Sequence, residues 1–189
     1  MKGSPYAKTF EKRIADWEDW LTYTFNLTNS WKGVQQVWIY LEPIFSSPDI
    51  VKHLPMEAGK FKDVDANWRS LMGRINTTPQ VLEFTKNRKL LDLLKECAGN
   101  LDIVQKGLNA YMEEKRMSFP RFYFLSNDEL LEILSETKDP EKVQPHLMKC
   151  FDGIKRLKFD ELKKIHGMYS AEAEYVDFNP LIDTALARG

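Results

Sequence analysis

Apolar residues recur at steps of three and four from the start of the chain. Phe10, Ile14, Trp17, Leu21 and Phe25 share one helix face, while Glu11, Lys12, Asp16, Glu18 and Asp19 occupy the others. Asn29-Ser30 offers a cap, so a second helix is expected from about Trp31. Its inward face is drawn by Val34, Val37, Trp38, Leu41 and Phe45. Residues 46–49 read as a turn, because Pro48 fixes φ and its small polar neighbours bond local backbone groups. Residues 50–54 predict a short helical turn that Pro55 interrupts. A third helix is predicted over 56–75, with Phe61, Val64, Trp68, Leu71, Met72 and Ile75 inward. Thr77-Thr78-Pro79 is a boundary. Thr78 can cap the next helix and Pro79 can take its first position, where a missing N–H costs nothing.

Residues 79–116 hold no proline after the first and predict one long helix, either unbroken or interrupted near residues 85–87. Leu90, Leu94, Cys97, Leu101, Val104, Leu108 and Tyr111 form its stripe. Gly99-Asn100 and Gly107 lie inside it, and each glycine weakens the helix by about 1 kcal/mol relative to alanine. Such glycines either let the helix bend or let a neighbour pack closely, the commoner case. Pro120 then ends the helix, and the aromatic run from Phe119 to Leu125 predicts an extended, largely buried segment. Ser126 and Glu129 have the spacing of a capping box for a helix that carries Leu130, Leu131, Ile133 and Leu134 and ends around residues 136–138. Asp139-Pro140 opens another helix, which Pro145 must kink or restart. From residue 155 the period falls to two. Short strands are expected at 155–159, 165–169 and 174–178, the last two around a Ser170-Ala171-Glu172-Ala173 turn.

These patterns predict a mainly α fold. It is expected to be an elongated multi-helix bundle with one long helix and a small antiparallel β element near the C-terminus. Three regions are expected: an N-terminal helical lobe at 1–78, the long helix and its followers at 79–154, and a short β element with a tail at 155–189. The tail carries no stop signal, so the segment is expected to belong to a longer chain.

Composition narrows the function classes. The 189 residues carry 27 Lys+Arg against 28 Asp+Glu, a net charge of −1. A nucleic-acid-binding module would normally be basic, so no nucleic-acid partner is expected. No apolar run approaches the ~20 residues that span a bilayer, so no membrane partner is expected either. The two cysteines, Cys97 and Cys150, lie far apart and suit a reducing compartment, as buried small hydrophobes. Five Trp, seven Tyr and eleven Phe are a load that a disordered chain would not carry.

Catalytic signatures are missing. Gly59-Lys60 is the closest approach to a phosphate-binding loop, but the first glycine is absent and Phe61 stands where Ser or Thr would hold Mg²⁺. His53, His146 and His166 are scattered without metal-ligand spacing. No catalytic, cofactor-binding or metal-binding residue is assigned, and the chain is not expected to be an enzyme by itself.

Several strings resemble the linker region of dynein heavy chains, the segment before the ring of AAA+ modules. The most specific runs from Phe119 through Pro-Arg-Phe-Tyr-Phe-Leu-Ser-Asn-Asp-Glu-Leu-Leu-Glu-Ile to Leu134 and continues over 138–147 and 149–151. Upstream, residues 37–45, 47–50, 54–55, 64–68 and 105–111 are similar to the same family. The resemblance spans residues 4–178. Residues 42–49, Glu-Pro-Ile-Phe-Ser-Ser-Pro-Asp, resemble axonemal heavy chains of the inner-arm type. Ala173 departs from the pattern, because the family usually has glycine there. Glycine reaches φ > 0 without steric cost, so a turn of a different type is expected.

The resemblance implies a mechanical lever that lies across the AAA+ ring of the same heavy chain and switches between bent and straight forms. ATP and Mg²⁺ would belong to the downstream ring of the full motor. Microtubules would be met only indirectly, and the location would be cytoskeletal, in a ciliary or flagellar axoneme. A lever needs a localised two-state junction, and the interior glycines make Gly99 and Gly107 the candidate hinge. Arg121, Tyr123 and Asp128 are candidate residues for docking on the ring; the alternative is that their segment is simply core. A helical scaffold or adaptor for other proteins is the competing function, with a similar composition.

Overall fold

The apolar periodicity at the start of the chain builds one helix rather than two, α1 (Glu11–Phe45). Asn29 and Ser30 do not end it. Neither forces a residue out of helical geometry, and holding each in a helix costs only about half a kcal/mol. The hydroxyls of Thr24 and Thr28 donate back to the carbonyls of Trp20 and Thr24 at 2.9 and 2.8 Å, so these polar side chains are satisfied within the helix. The computed structural model describes residues 3–135 and 139–186. The chain divides into two compact units, one of residues Met1–Phe45 and Pro55–Gly107, the other of Ser46–Leu54 and Leu108–Gly189.

The first unit is helical. Beside α1 it holds α3 (Pro55–Thr77), α4 (Val81–Phe84) and residues 90–107 of α5 (Leu90–Ser118). Leu27, Val34 and Leu41 of α1, Val64, Trp68 and Leu71 of α3, and Leu94, Leu101 and Val104 of α5 form its buried core. Aromatic contacts pin α1 to α3. Phe45 stacks on Phe61 with centroids 5.2 Å apart, and Trp31 and Trp38 flank Trp68 at 5.7 and 6.0 Å. The Trp38 indole N–H donates to Asp65 at 3.0 Å. Gly59-Lys60-Phe61 is plain helix, and Phe61 is core.

The inward face of α1 differs from the one its first stripe predicts. Phe10, Trp17, Leu21 and Phe25 are exposed, and Ile14 is half-buried; Tyr23 and Leu27 point inward instead. Positions 21 and 23 lie about 200° apart around a helix, so the apolar stripe and the buried face are nearly opposite. From Val34 onward the expected face is the inward one: Val34, Leu41 and Phe45 are buried, and Val37 and Trp38 are half-buried.

Thr78 and Pro79 do not start the next helix. Residues 78–80 are irregular, and α4 begins at Val81 after an extended Gln80 with no side-chain cap. The possible break in the long helix is real and lies between α4 and α5. Two groups of α1 hold it: the Trp20 indole N–H donates to the Thr85 hydroxyl at 2.7 Å, and the Tyr23 hydroxyl donates to the Asn87 carbonyl at 2.7 Å. A chain break frees backbone acceptors, and a buried one must find a donor. Beyond the break the α5 stripe follows its prediction: all seven residues from Leu90 to Tyr111 are buried.

The second unit begins with α2 (Pro48–His53) and residues 108–118 of α5. It continues through a 3₁₀ turn at Pro120–Phe124, α6 (Asn127–Ser135), a second 3₁₀ stretch at Pro140–His146 and α7 (Leu147–Cys150). The expected helix end at 136–138 lies outside the described residues. Ile50, Leu108, Met112, Leu125, Leu130 and Leu147 are buried here. The aromatic run is neither extended nor largely buried. Pro120 takes the first position of a 3₁₀ turn, closed by Phe122 N–H to Phe119 C=O at 2.9 Å and Leu125 N–H to Phe122 C=O at 3.1 Å. Threefold spacing aligns Phe119, Phe122 and Leu125. The Phe119 and Phe122 rings meet edge to face at 4.9 Å, while Tyr123 and Phe124 point outward. The capping box before α6 is present: Ser126 N–H donates to Glu129 Oε2 at 3.0 Å, and Glu129 N–H to Ser126 Oγ at 3.4 Å.

Three strands close the unit as an antiparallel sheet in the order β1 (Arg156–Phe159), β2 (Ile165–Tyr169), β3 (Tyr175–Ile182). Gly167 pairs with Asp177 beneath the Tyr175 ring; a Cβ there would sit 2.3 Å from the Val176 carbonyl oxygen and 2.8 Å from the Tyr175 hydroxyl. The β2–β3 turn keeps glycine-type geometry without its glycine. Ala173 N–H donates to the Ser170 carbonyl at 3.2 Å, and Ala173 takes φ of 66°. A left-handed conformation costs an L-residue about 1–2 kcal/mol. Ala173→Gly therefore raises stability by about 1 kcal/mol, after allowance for glycine's own chain entropy. Gly167→Ala lowers it by about 1–3 kcal/mol through overpacking. Urea-unfolding midpoints of the two variants check both signs.

Candidate functional site

The two candidate hinge glycines sit in different surroundings. Gly99 faces open space: an added Cβ would meet no heavy atom within 4 Å. Gly107 is covered by Glu57, from the first turn of α3. A Cβ at Gly107 would lie 2.4 Å from Glu57 Oε1, 2.5 Å from its Cγ and 2.7 Å from its Cδ. Glu57 is a carboxylate side chain only 9% exposed, and the absence of a side chain at Gly107 makes its seat. Close packing of a neighbour thus describes Gly107 and does not describe Gly99. Gly107 is also the last residue of the first unit, and Leu108 begins the second, so the division falls inside α5. Glu57 has no signature in the sequence, because a carboxylate on an early helical turn normally reads as solvated.

The three candidate docking residues lie around the 3₁₀ turn, and all are exposed. Two are already engaged. Arg121 Nη1 donates to the Cys150 carbonyl at 2.8 Å, with its guanidinium 4.6 Å over the Phe151 ring. The Tyr123 hydroxyl donates to Glu113 Oε2 at 3.2 Å, although the residue remains 57% exposed. Asp128, on the first turn of α6, is exposed and makes no hydrogen bond or ion pair among the described residues. The segment is therefore surface rather than core, with its polar groups held in place.

Beneath it lies a polar anchor that sequence reasoning missed. Arg116, in the last turn of α5, is buried and reaches across the 3₁₀ turn. It donates to Asn127 Oδ1 at 2.7 Å, to the Leu125 carbonyl at 3.4 Å and to Glu113 at 3.0 Å. A buried guanidinium must spend its donors on acceptors, and these acceptors fix where α6 begins. A basic residue near a helix C-terminus was the available signal, but it does not reveal burial. Burial pushes the thiols of Cys97 and Cys150 above their ordinary values.

A second anchor joins α6 to α7. Glu129 accepts from Lys149 and from Ser126, and His146 Nδ1 lies 3.9 Å away. The hydrogen bond from Lys149, followed by the bond from the Ser126 backbone, holds the Glu129 carboxyl down at about 2. His146 is itself buried, with Nε2 3.3 Å from Glu132. His53 stacks on Tyr111 with centroids 5.6 Å apart, and His166 lies 3.0 Å from Asp160. Each histidine thus has a local structural contact of its own. No helix among the described residues is long and apolar enough to cross a membrane.

A mainly helical chain with a long buried-stripe helix and a small C-terminal antiparallel sheet is the class the fold defines. Comparison with known families gives it a place: the family "Dynein heavy chain, N-terminal region 2" matches residues 1–187. The chain belongs to the dynein heavy chain family. It is 51% identical over all 189 residues to human "Dynein axonemal heavy chain 12", of which it spans 6%. It is 51% identical over 176 residues, 93% of this chain, to mouse "Dynein axonemal heavy chain 1", spanning 4% of that protein. To human "Dynein axonemal heavy chain 3" it is 48% identical over its whole length, spanning 5%. The chain therefore spans a small fraction of the relatives it matches.

The Glu129 anchor has a definite pH signature. A carboxyl held near 2 against an ordinary 4.5 stabilises the fold above 4.5, and the contribution is lost as pH falls toward 2. Glu129→Gln keeps a capping-box residue but removes the charge. It lowers the urea midpoint at neutral pH, and the gap from wild type closes between about 4.5 and about 2. Urea titrations at both ends of that window check it.

Proposed function

We propose that the chain is a linker segment of an axonemal dynein heavy chain, a mechanical lever coupling ATP-driven rearrangement of an AAA+ ring to displacement of the tail in microtubule-based motility. The observation that carries the reading is the match to the family's N-terminal region over residues 1–187. The division of the chain at Gly107 and Leu108, inside α5, supports it. A lever that bends needs two internally rigid bodies and a junction where the backbone can change state. Each unit has its own buried core, and the boundary residue of the first is a glycine.

ATP and Mg²⁺ act in the ring of the full motor, and this segment supplies no nucleotide chemistry. Its direct partner is the ring of the same heavy chain; microtubules are engaged elsewhere in the motor, in a ciliary or flagellar axoneme. The exposed positions of Arg121, Tyr123 and Asp128 support a role for the 3₁₀ turn in docking on the ring. Asp128 has no ion pair among the described residues, so there it can form a new ion pair without breaking an internal one.

The two glycines should behave oppositely. Gly99→Ala meets no neighbour and strengthens the helix by about 1 kcal/mol. Gly107→Ala must displace Glu57. In a motor carrying a fluorescence-transfer pair across the segment, Gly107→Ala changes swing amplitude or rate, and Gly99→Ala changes neither. Unchanged swing in Gly107→Ala removes that glycine as a hinge determinant. The isolated chain gives background ATP turnover only, and robust turnover would overturn the lever reading. Asp128→Ala weakens ring docking, seen as a lower occupancy of the docked transfer state.

A further inference from the structure

Three Ser/Thr-Pro pairs occur in the chain, at Ser4, Ser47 and Thr78. The fold occupies two of them. The Ser4 hydroxyl accepts from the Tyr6 N–H at 3.3 Å and its carbonyl from the Ala7 N–H at 3.0 Å, so that pair is turned back on itself. Ser47 is half-buried, and its hydroxyl donates to the Ser135 carbonyl at 3.1 Å. Thr78 differs. It stands in the irregular stretch 78–80 between α3 and α4, and every residue from Asn76 to Gln80 is exposed. The Thr77 hydroxyl is spent on the Gly73 carbonyl at 3.0 Å, whereas the Thr78 hydroxyl has no partner among the described residues. Pro79 disfavours helical geometry at Thr78, and Gln80 is extended, with ψ of 115°.

Two cations are placed to meet a charge at Thr78. Its N–H donates to the Arg74 carbonyl at 3.0 Å, which continues the helical pattern and sets Arg74 one turn before it. Lys32 of α1 lines the same groove as Thr78 and Pro79. Among the described residues, neither Arg74 nor Lys32 makes an ion pair, and no carboxylate lines the groove. Glu83 of α4 is held by Lys86 at 2.6 Å.

We propose that Thr78 is a phosphorylation site for a proline-directed Ser/Thr kinase, and that Arg74 and Lys32 clamp the phosphate. Such a kinase accepts a hydroxyl only where proline follows. Proline brings no N–H to be satisfied, and it favours extended backbone, the form a kinase cleft takes, in the residue before it. Thr78 Oγ1 attacks the γ-phosphorus of Mg-ATP, the bond to the β–γ bridging oxygen breaks and ADP leaves. The hydroxyl proton passes to a carboxylate base of the kinase. The product carries a charge of about −1.5 to −2 and three acceptor oxygens. Its place just past the end of α3 disfavours an anion, because a helix C-terminus carries partial negative charge. Charge-assisted hydrogen bonds from two cations outweigh that. With Arg74 on α3 and Lys32 on α1, the phosphate ties two helices of the first unit together at the rim of the groove.

The test uses the intact dynein heavy chain that carries this segment, a purified proline-directed kinase and Mg-ATP, with products mapped by mass spectrometry. Thr78 is expected to take up one phosphoryl group. Thr78→Ser keeps the transfer, Thr78→Val abolishes it, and Pro79→Ala reduces it to background. Acylation of Lys32 by an amine-reactive ester slows several-fold once Thr78 is phosphorylated. No transfer to Thr78 in the intact chain overturns the proposal. A synthetic peptide of residues 72–86 then gives the reason: if it accepts phosphate the site is covered, and if it does not the sequence is not read. Transfer that persists in Pro79→Ala, or phosphorylation that leaves Lys32 reactivity unchanged, also overturns it. None of these outcomes bears on the lever reading.

Discussion

The buried stripe of α5 is the constraint to which the rest of the chain answers. Leu90, Leu94, Cys97, Leu101 and Val104 need apolar cover in the first unit, and Leu108, Tyr111 and Met112 need it in the second. In the first unit the cover comes from α1 and α3, locked together through the Trp31, Trp38 and Trp68 cluster. In the second it comes with α2 and α6 and the leucines that α6 presents. The break at residues 85–89 follows from the same demand. α4 and α5 must separate there, and Trp20 and Tyr23 of α1 satisfy the polar groups that the separation exposes.

Helix existence and the α5 face were legible because the apolar period there is unambiguous over six turns. Strand positions were legible for a similar reason, a period of two flanked by turn residues. The face of α1 was not. Its sequence carries two apolar lines nearly opposite one another, and periodicity cannot say which line meets this chain's own core. The aromatic run at 119–125 misled for a different reason. Apolar density suggests burial, but a proline at the first position and a threefold period turn half of the run outward.

The sites were less legible than the fold. Gly107 was visible as an interior glycine, but its function as a seat depends on Glu57, some fifty residues earlier in the chain. Arg116 looked like a terminal helix charge, and only the 3₁₀ turn folded over it makes it an anchor. Ala173 shows the reverse. The sequence change suggested a new turn type, yet the Ser170 hydrogen bonds and the strand pairing impose the old geometry, with φ of 66°, on a residue that disfavours it. Tertiary context outweighs a local preference of one or two kcal/mol.

The contrast between Gly99 and Gly107 bears on how a helix can carry a bend point. A glycine in open surroundings softens a helix only by its own entropy, about 1 kcal/mol. It has no second state to favour. A glycine under a buried carboxylate is different. A Cβ at Gly107 would fall 2.4 Å from Glu57 Oε1, so α3 and α5 pack there only because the side chain is missing, and Glu57 is held at 9% exposure. On the lever reading proposed above, that contact makes Gly107, and not Gly99, the glycine whose substitution acts beyond its own helix.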